Sequence, residues 1–108
     1  MRASRSPRPL FLAHLTLQHL APPALVRMAA EAGFRGVSMT VVRPQRPGAP
    51  AYSLLESGNP LMAETLACLA DTGLIVHDVQ GIRLEPETDV QGFEPLLEAG
   101  QRLGARYV

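Results

Sequence analysis

Glu31-Ala-Gly-Phe-Arg-Gly-Val-Ser-Met39 carries an amphipathic helical stretch through a glycine into an apolar, strand-like run. The same passage recurs as Asp71-Thr-Gly-Leu-Ile-Val-His-Asp-Val79 and as Arg102-Leu-Gly-Ala-Arg-Tyr-Val108. Gly33, Gly73 and Gly104 stand 40 and 31 residues apart, about one strand–helix unit each. Repetition on that scale predicts parallel strands joined by helical crossovers. The third passage reaches Val108 as a fourth strand opens, so the chain reads as the first part of a larger α/β barrel.

Working outward, residues 10–17 (LFLAHLTL) are short and densely apolar and predict the first strand. Pro22 and Pro23 follow where a first helical turn tolerates a missing N–H, and a helix over 22–33 places Leu25, Met28, Ala29 and Ala32 on one face. The second strand is predicted near 36–42. Residues 43–58, with three prolines and two glycines, predict a long loop, either a lid or binding segment or a tolerated insertion. Asn59-Pro60 is a cap followed by proline and predicts a helix over 60–72, with Met62, Leu66, Leu69 and Ala70 inward. The third strand is predicted over 74–80. Thr88 and Gln91 have capping-box spacing, which starts a third helix over 89–103 that buries Val90, Phe93, Leu96, Leu97 and Leu103. A fourth strand is expected from about 105.

An apolar share of 46% with 19% charged residues is that of a folded domain rather than a disordered chain. Ten arginines balance ten acids, so net charge calls for neither nucleic acid nor membrane, and lysine is absent. The distribution is uneven: through residue 50 there are seven arginines against Glu31, and beyond it three arginines against nine acids. Residues 1–9, rich in arginine, serine and proline, predict a disordered leader, and residues 10–108 the folded part. No run approaches the ~20 apolar residues that span a bilayer, and a cytoplasmic location is expected. The single cysteine, Cys68, falls in a helical pattern and is expected as a small buried apolar side chain.

Alternation decides which strand residues could do chemistry. Side chains two apart share a face. In the first strand His14 and Thr16 share a face opposite Leu15, and in the second Ser38 and Thr40 oppose Val37 and Met39. In the third, Asp78 and Gln80 share a face, and adjacent His77 joins them only if a bulge intervenes. A barrel accounts for polar inward residues near strand tops, whereas an open doubly wound sheet wants apolar strands on both faces. After the first strand the chain reads Gln18-His-Leu-Ala-Pro-Pro23, without the glycine-rich turn of dinucleotide-binding folds. His14, Thr16, Thr40, Asp78 and Gln80 are therefore the candidate substrate-binding residues, with His14 equally readable as a barrel histidine satisfied by a neighbouring carbonyl. Arg43, just past the second strand, joins them as a bidentate partner for a phosphate or carboxylate, although a solvated loop arginine is the favoured reading there.

The segments Leu12-Ala-His-Leu-Thr16, Ala29-Ala-Glu-Ala-Gly-Phe-Arg-Gly-Val37, Leu69-Ala-Asp-Thr-Gly-Leu-Ile-Val-His-Asp78 and Leu96-Leu-Glu-Ala-Gly-Gln-Arg-Leu-Gly-Ala-Arg-Tyr-Val108 occur in an order and spacing that together carry a resemblance. The chain resembles the N-terminal portion of the xylose isomerase-like proteins, the sugar phosphate isomerase/epimerase group of the endonuclease IV-like superfamily. The resemblance implies a (β/α)8 TIM barrel of which this chain supplies the first three βα units and the start of the fourth strand. It implies an enzyme moving a proton next to a carbonyl on a sugar or polyol, with a divalent metal (manganese, magnesium, cobalt or zinc) holding the substrate oxygens. The family's catalytic and metal-binding residues come largely from later strands, beyond Val108. His77 falls near the position where endonuclease IV-like members carry a metal-binding histidine. Many relatives have an acid where this chain has Gln80. The implied partner is a small sugar or polyol, with neither nucleic acid nor membrane, in a chain open to homo-oligomer assembly. The alternatives are a non-catalytic barrel that binds a small ligand and an endonuclease IV-like abasic-site nuclease, the latter ill matched to a neutral chain.

Overall fold

The computed structural model describes residues 8–56 and 58–108; the first seven positions of the expected leader lie outside it. Its frame is a parallel sheet of β1 (Phe11–Ala13), β2 (Gly36–Thr40) and a long strand over Ile75–Gln80, hydrogen-bonded in that order. Between β2 and the long strand lies a small antiparallel pair, β3 (Val42–Arg43) with β4 (Tyr52–Ser53), so the long strand is β5. The helices are α1 (Pro22–Ala32), α2 (Pro60–Thr72) and α3 (Glu94–Leu103). Tyr107 forms a parallel bridge with Asp78, which places the start of the expected fourth strand beside β5. Among the described residues no helix is long and apolar enough to cross a membrane.

Each helix stops where its glycine allows a left-handed residue. Gly33, Gly73 and Gly104 have φ of 89°, 74° and 76°, and their N–H groups return to the last turn. Asn59 caps α2 by accepting from the Leu61 N–H at 2.8 Å. The start of the third helix differs from the sequence reading. Asp89, not Thr88, accepts from the Gln91 N–H, and Thr88 accepts instead from the Glu85 N–H. Residues Val90–Phe93 form a 3-10 turn before α3 begins, with Pro95 inside its first turn, where its missing N–H is harmless. Val90 and Leu97, expected inward, are consequently exposed.

Leu12, Val37, Met39, Val76 and Val79 bury the helix-facing side of the sheet against Leu25, Val26, Ala29, Met62, Leu69, Leu96 and Leu103. Val37, Met39 and Val79 thus meet the helices as alternation requires. On α1, Val26 is buried where Met28 and Ala32 were expected; on α2 Cys68 is buried as expected, and Thr65 is buried while Leu66 and Ala70 are exposed. The buried Thr65 hydroxyl donates to the Leu61 carbonyl, which satisfies it inside the core. Gly100 lets α3 approach β5 at Val79, and Gly36 lies against the Ile75 carbonyl, where no side chain fits.

Two expectations about irregular segments are corrected. The first strand ends at Ala13, not residue 17, and His14–Leu17 is a 3-10 turn. Leu15 is therefore 70% exposed instead of packed on helices. The long loop after the second strand is a hairpin. Arg46 and Ala49 exchange two backbone hydrogen bonds across Pro47-Gly48, and Gly48 has φ of 75°. Proline then left-handed glycine is the sequence of a type II turn, which closes the hairpin. Leu54, fully buried, anchors its return, and its N–H donates to the Val41 carbonyl.

Candidate functional site

The polar residues gather on the sheet face opposite the helices, toward the C-terminal ends of β2 and β5. Pairing across the two strands runs Gly36↔Ile75 and Val37↔Val76, then shifts by one residue to Ser38↔Asp78, Met39↔Val79 and Thr40↔Gln80. His77 is the extra residue, a β-bulge. The bulge brings His77 and Asp78 to the same side: His77 stacks on Phe11, with ring centroids 4.5 Å apart, and leans on Tyr107 at 5.2 Å. Regular alternation would have separated these neighbours.

Asp78 is held between the strands. The Ser38 hydroxyl donates to Asp78 Oδ2 at 3.2 Å. Its Oδ1 is buried and has no hydrogen-bond partner among the described residues. Asp78, Gln80, Gly81 and Tyr107 line a cleft of about 530 Å³. Gln80, exposed, also lines a second cleft of about 280 Å³ with His14, Thr40, Arg43 and Tyr52, so it joins the two.

His14, the other residue with catalytic chemistry, is spent on structure. Its Nδ1 accepts from the Thr40 N–H at 3.1 Å, which fixes the proton on Nε2, and Nε2 donates to the Leu20 carbonyl at 2.7 Å. Burial and the nearby Arg43 charge lower its pKa, against the pull of the Leu20 carbonyl, so the ring is neutral. Both nitrogens are engaged, leaving none in this arrangement for a metal or a sugar hydroxyl. Thr16, expected beside it on a strand, sits in the 3-10 turn and is exposed. The chain leaves the sheet at His14 because the imidazole takes the bonds that a strand neighbour would have made.

Arg43 is neither solvated nor loosely held: it is 7% exposed. Its Nε donates to the Pro50 carbonyl, and Nη1 to the Gln18 and Leu20 carbonyls, tying the hairpin to the turn before α1. Its guanidinium lies 4.6 Å from the Tyr52 ring centre. Tyr52 donates to the Thr40 carbonyl at 2.6 Å, and burial pushes its pKa up to about 12. The alternation of β2 had already placed Ser38 on the polar face; Tyr52 was signalled only by the Pro-Gly turn that folds it back.

Among the described residues no three His, Cys, Asp or Glu side chains converge on a common point. Of the residues that could ligate a metal, the concave face offers Asp78 and His77, and the His77 ring is stacked on Phe11. That donor set is short of a metal shell. Compared with known proteins, the chain matches no family model, no curated protein and no solved structure.

Proposed function

We propose that residues 10–108 are the opening portion of a (β/α)8 barrel of the xylose isomerase-like kind, which binds a sugar or polyol at the C-terminal edge of its parallel sheet and isomerises or epimerises it by proton transfer next to a carbonyl. The observation that carries this reading is Asp78 Oδ1, buried and without a donor among the described residues. A buried carboxylate oxygen without a donor is costly, and a hydroxyl of a ligand seated in the cleft that Asp78 lines would supply one once the side chain turns to meet it. Gln80, two residues on, adds an amide that both donates and accepts, with Ser38 fixing the carboxylate. Parallel strands in sequence order, polar at their C-terminal ends, support the barrel.

A divalent metal would stabilise the enediolate of such a reaction. The described residues do not make its shell, and their part is to bind and orient hydroxyl groups. The test is titration of the full-length protein and its Asp78→Asn variant with a panel of neutral polyols, aldoses and ketoses, followed by an aldose–ketose conversion assay. Saturable binding that Asp78→Asn weakens at least about tenfold supports the reading. Binding without turnover would place the chain among non-catalytic barrels. Indifference of every ligand to Asp78→Asn would sink the site.

A further inference from the structure

The cleft beneath the β3–β4 hairpin contains a buried positive charge with no negative partner. Among the described residues the one ion pair is Arg83 with Glu85, both exposed and far along the chain from Arg43. Carbonyls accept from Arg43 Nε and Nη1, which fixes the plane of the guanidinium but leaves its charge uncompensated. Its Nη2 makes no hydrogen bond among the described residues, and Arg43 lines the cleft. Arg46 stands on the same cleft, held by one long contact of 3.4 Å from Nη1 to Gln18 Oε1. Among the described residues no acidic side chain lines this space.

We propose that this cleft is an oxyanion site in which Arg43 and Arg46 hold a phosphate or carboxylate group of a small ligand. With Nε and Nη1 held by carbonyls, Arg43 presents the N–H groups of Nη2 in a fixed direction from a buried position, as one charge-assisted donor to an oxyanion. Arg46, free to swing, closes over the group from the hairpin tip, and Thr40 and Gln80 face the same space as further polar contacts. His14 does not compete for the anion, being neutral and turned to the backbone. Gln80 belongs also to the Asp78 cleft, and one step of two strand residues between them is ~7 Å. That step runs from Asp78 to Gln80, and a ligand with hydroxyls at Asp78 and an acidic group at Arg43 would pass over Gln80. This choice of ligand rests on the sugar-binding reading; the site itself does not.

The test follows the arginine Nε–H signals of the full-length protein by NMR during titration with inorganic phosphate, and separately with acetate, at constant ionic strength and without sugar. The expected result is a saturable shift of Arg43 and Arg46 while Arg83 and Arg102 stay still. Saturation by either anion supports the site and says which group it takes. Arg46→Gln, at an exposed position, should keep the folded spectrum and weaken binding at least about fivefold. Arg43→Lys, which keeps a charge but loses the Nη2 N–H groups, should weaken it further. Equal shifts of all arginines, no saturation with either anion, or unchanged binding in Arg46→Gln would overturn the proposal. Those failures would leave the Asp78 reading standing, since neutral polyols test it independently.

Discussion

Ser38 and Asp78, forty residues apart, meet at 3.2 Å across two parallel strands, and they do so because β5 carries one residue more than β2 between them. The serine fixes one carboxylate oxygen and leaves the other without a donor. Asp78→Asn preserves the shape and the Ser38 contact while removing a charge that is only half satisfied. Its melting temperature should stay level or rise by a few degrees, about 0.5–1 kcal/mol, while ligand binding falls. A drop of more than about 2 kcal/mol in denaturant unfolding would mean that Asp78 supports the fold instead.

His14 links acid sensitivity to the fold. Its pKa is lowered in the folded chain, so the unfolded chain takes up the proton first, near 6.5. Its contribution is therefore whole above that pH and is lost as pH falls through the lower folded-state value. Arg43 and Tyr52 face the ring, and protonation would set two cations side by side while breaking the Thr40 N–H contact. His14→Ala should cost about 2–4 kcal/mol at pH 8, and the gap to wild type should shrink below pH 6.5. Urea unfolding from pH 8 to 4.5 checks this; a constant gap contradicts it.

Tyr52 governs the alkaline side. Because burial raises its folded pKa to about 12, the phenol ionises more readily in the unfolded chain, near 10. Stability should fall as pH rises through that window, and Tyr52→Phe should remove that component. The chain has no lysine, so no ammonium titration overlaps the measurement. At neutral pH Tyr52→Phe should cost about 1 kcal/mol for the lost bond to the Thr40 carbonyl. Identical alkaline unfolding of the two proteins would refute this assignment.

Gly36 sits where β2 passes closest to β5, and a methyl there would strike the Ile75 carbonyl. Gly36→Ala should destabilise by about 2–4 kcal/mol, because backbone rather than a flexible side chain must yield. Gly92→Ala, at an open position, is the matched control and should be near neutral in thermal unfolding.

The regular frame was legible because glycine stops, caps and apolar spacing are local signals. Gly33, Gly73, Gly104 and Asn59 set helix ends within a residue or two. What escaped was decided by distant partners. His14 leaves the strand because its ring binds Thr40 and Leu20, contacts that no periodicity reveals. The hairpin was hidden by its prolines, although Pro47-Gly48 was a readable turn. Of the candidate site, alternation found the face of Thr40, Asp78 and Gln80, and it named a bulge as the condition for His77 to join them. Where the bulge falls depends on pairing with β2, and Arg43's burial depends on carbonyls from two other segments.

The two neighbours of β5 count its residues differently. Seen from β2, the strand runs from Val76 straight to Asp78, as though His77 were absent. Seen from the other side, His77 is indispensable, since its carbonyl accepts from the N–H groups of Arg106 and Tyr107. Deleting one residue from a strand ordinarily turns everything beyond it to the wrong side. Here, removing His77 would leave Val76, Asp78, Val79 and Gln80 facing as they do now, at the cost of the backbone bonds from Arg106 and Tyr107 and of the stack on Phe11. In backbone pairing the sheet thus holds a spare position, counted by the neighbour on one flank and passed over by the neighbour on the other.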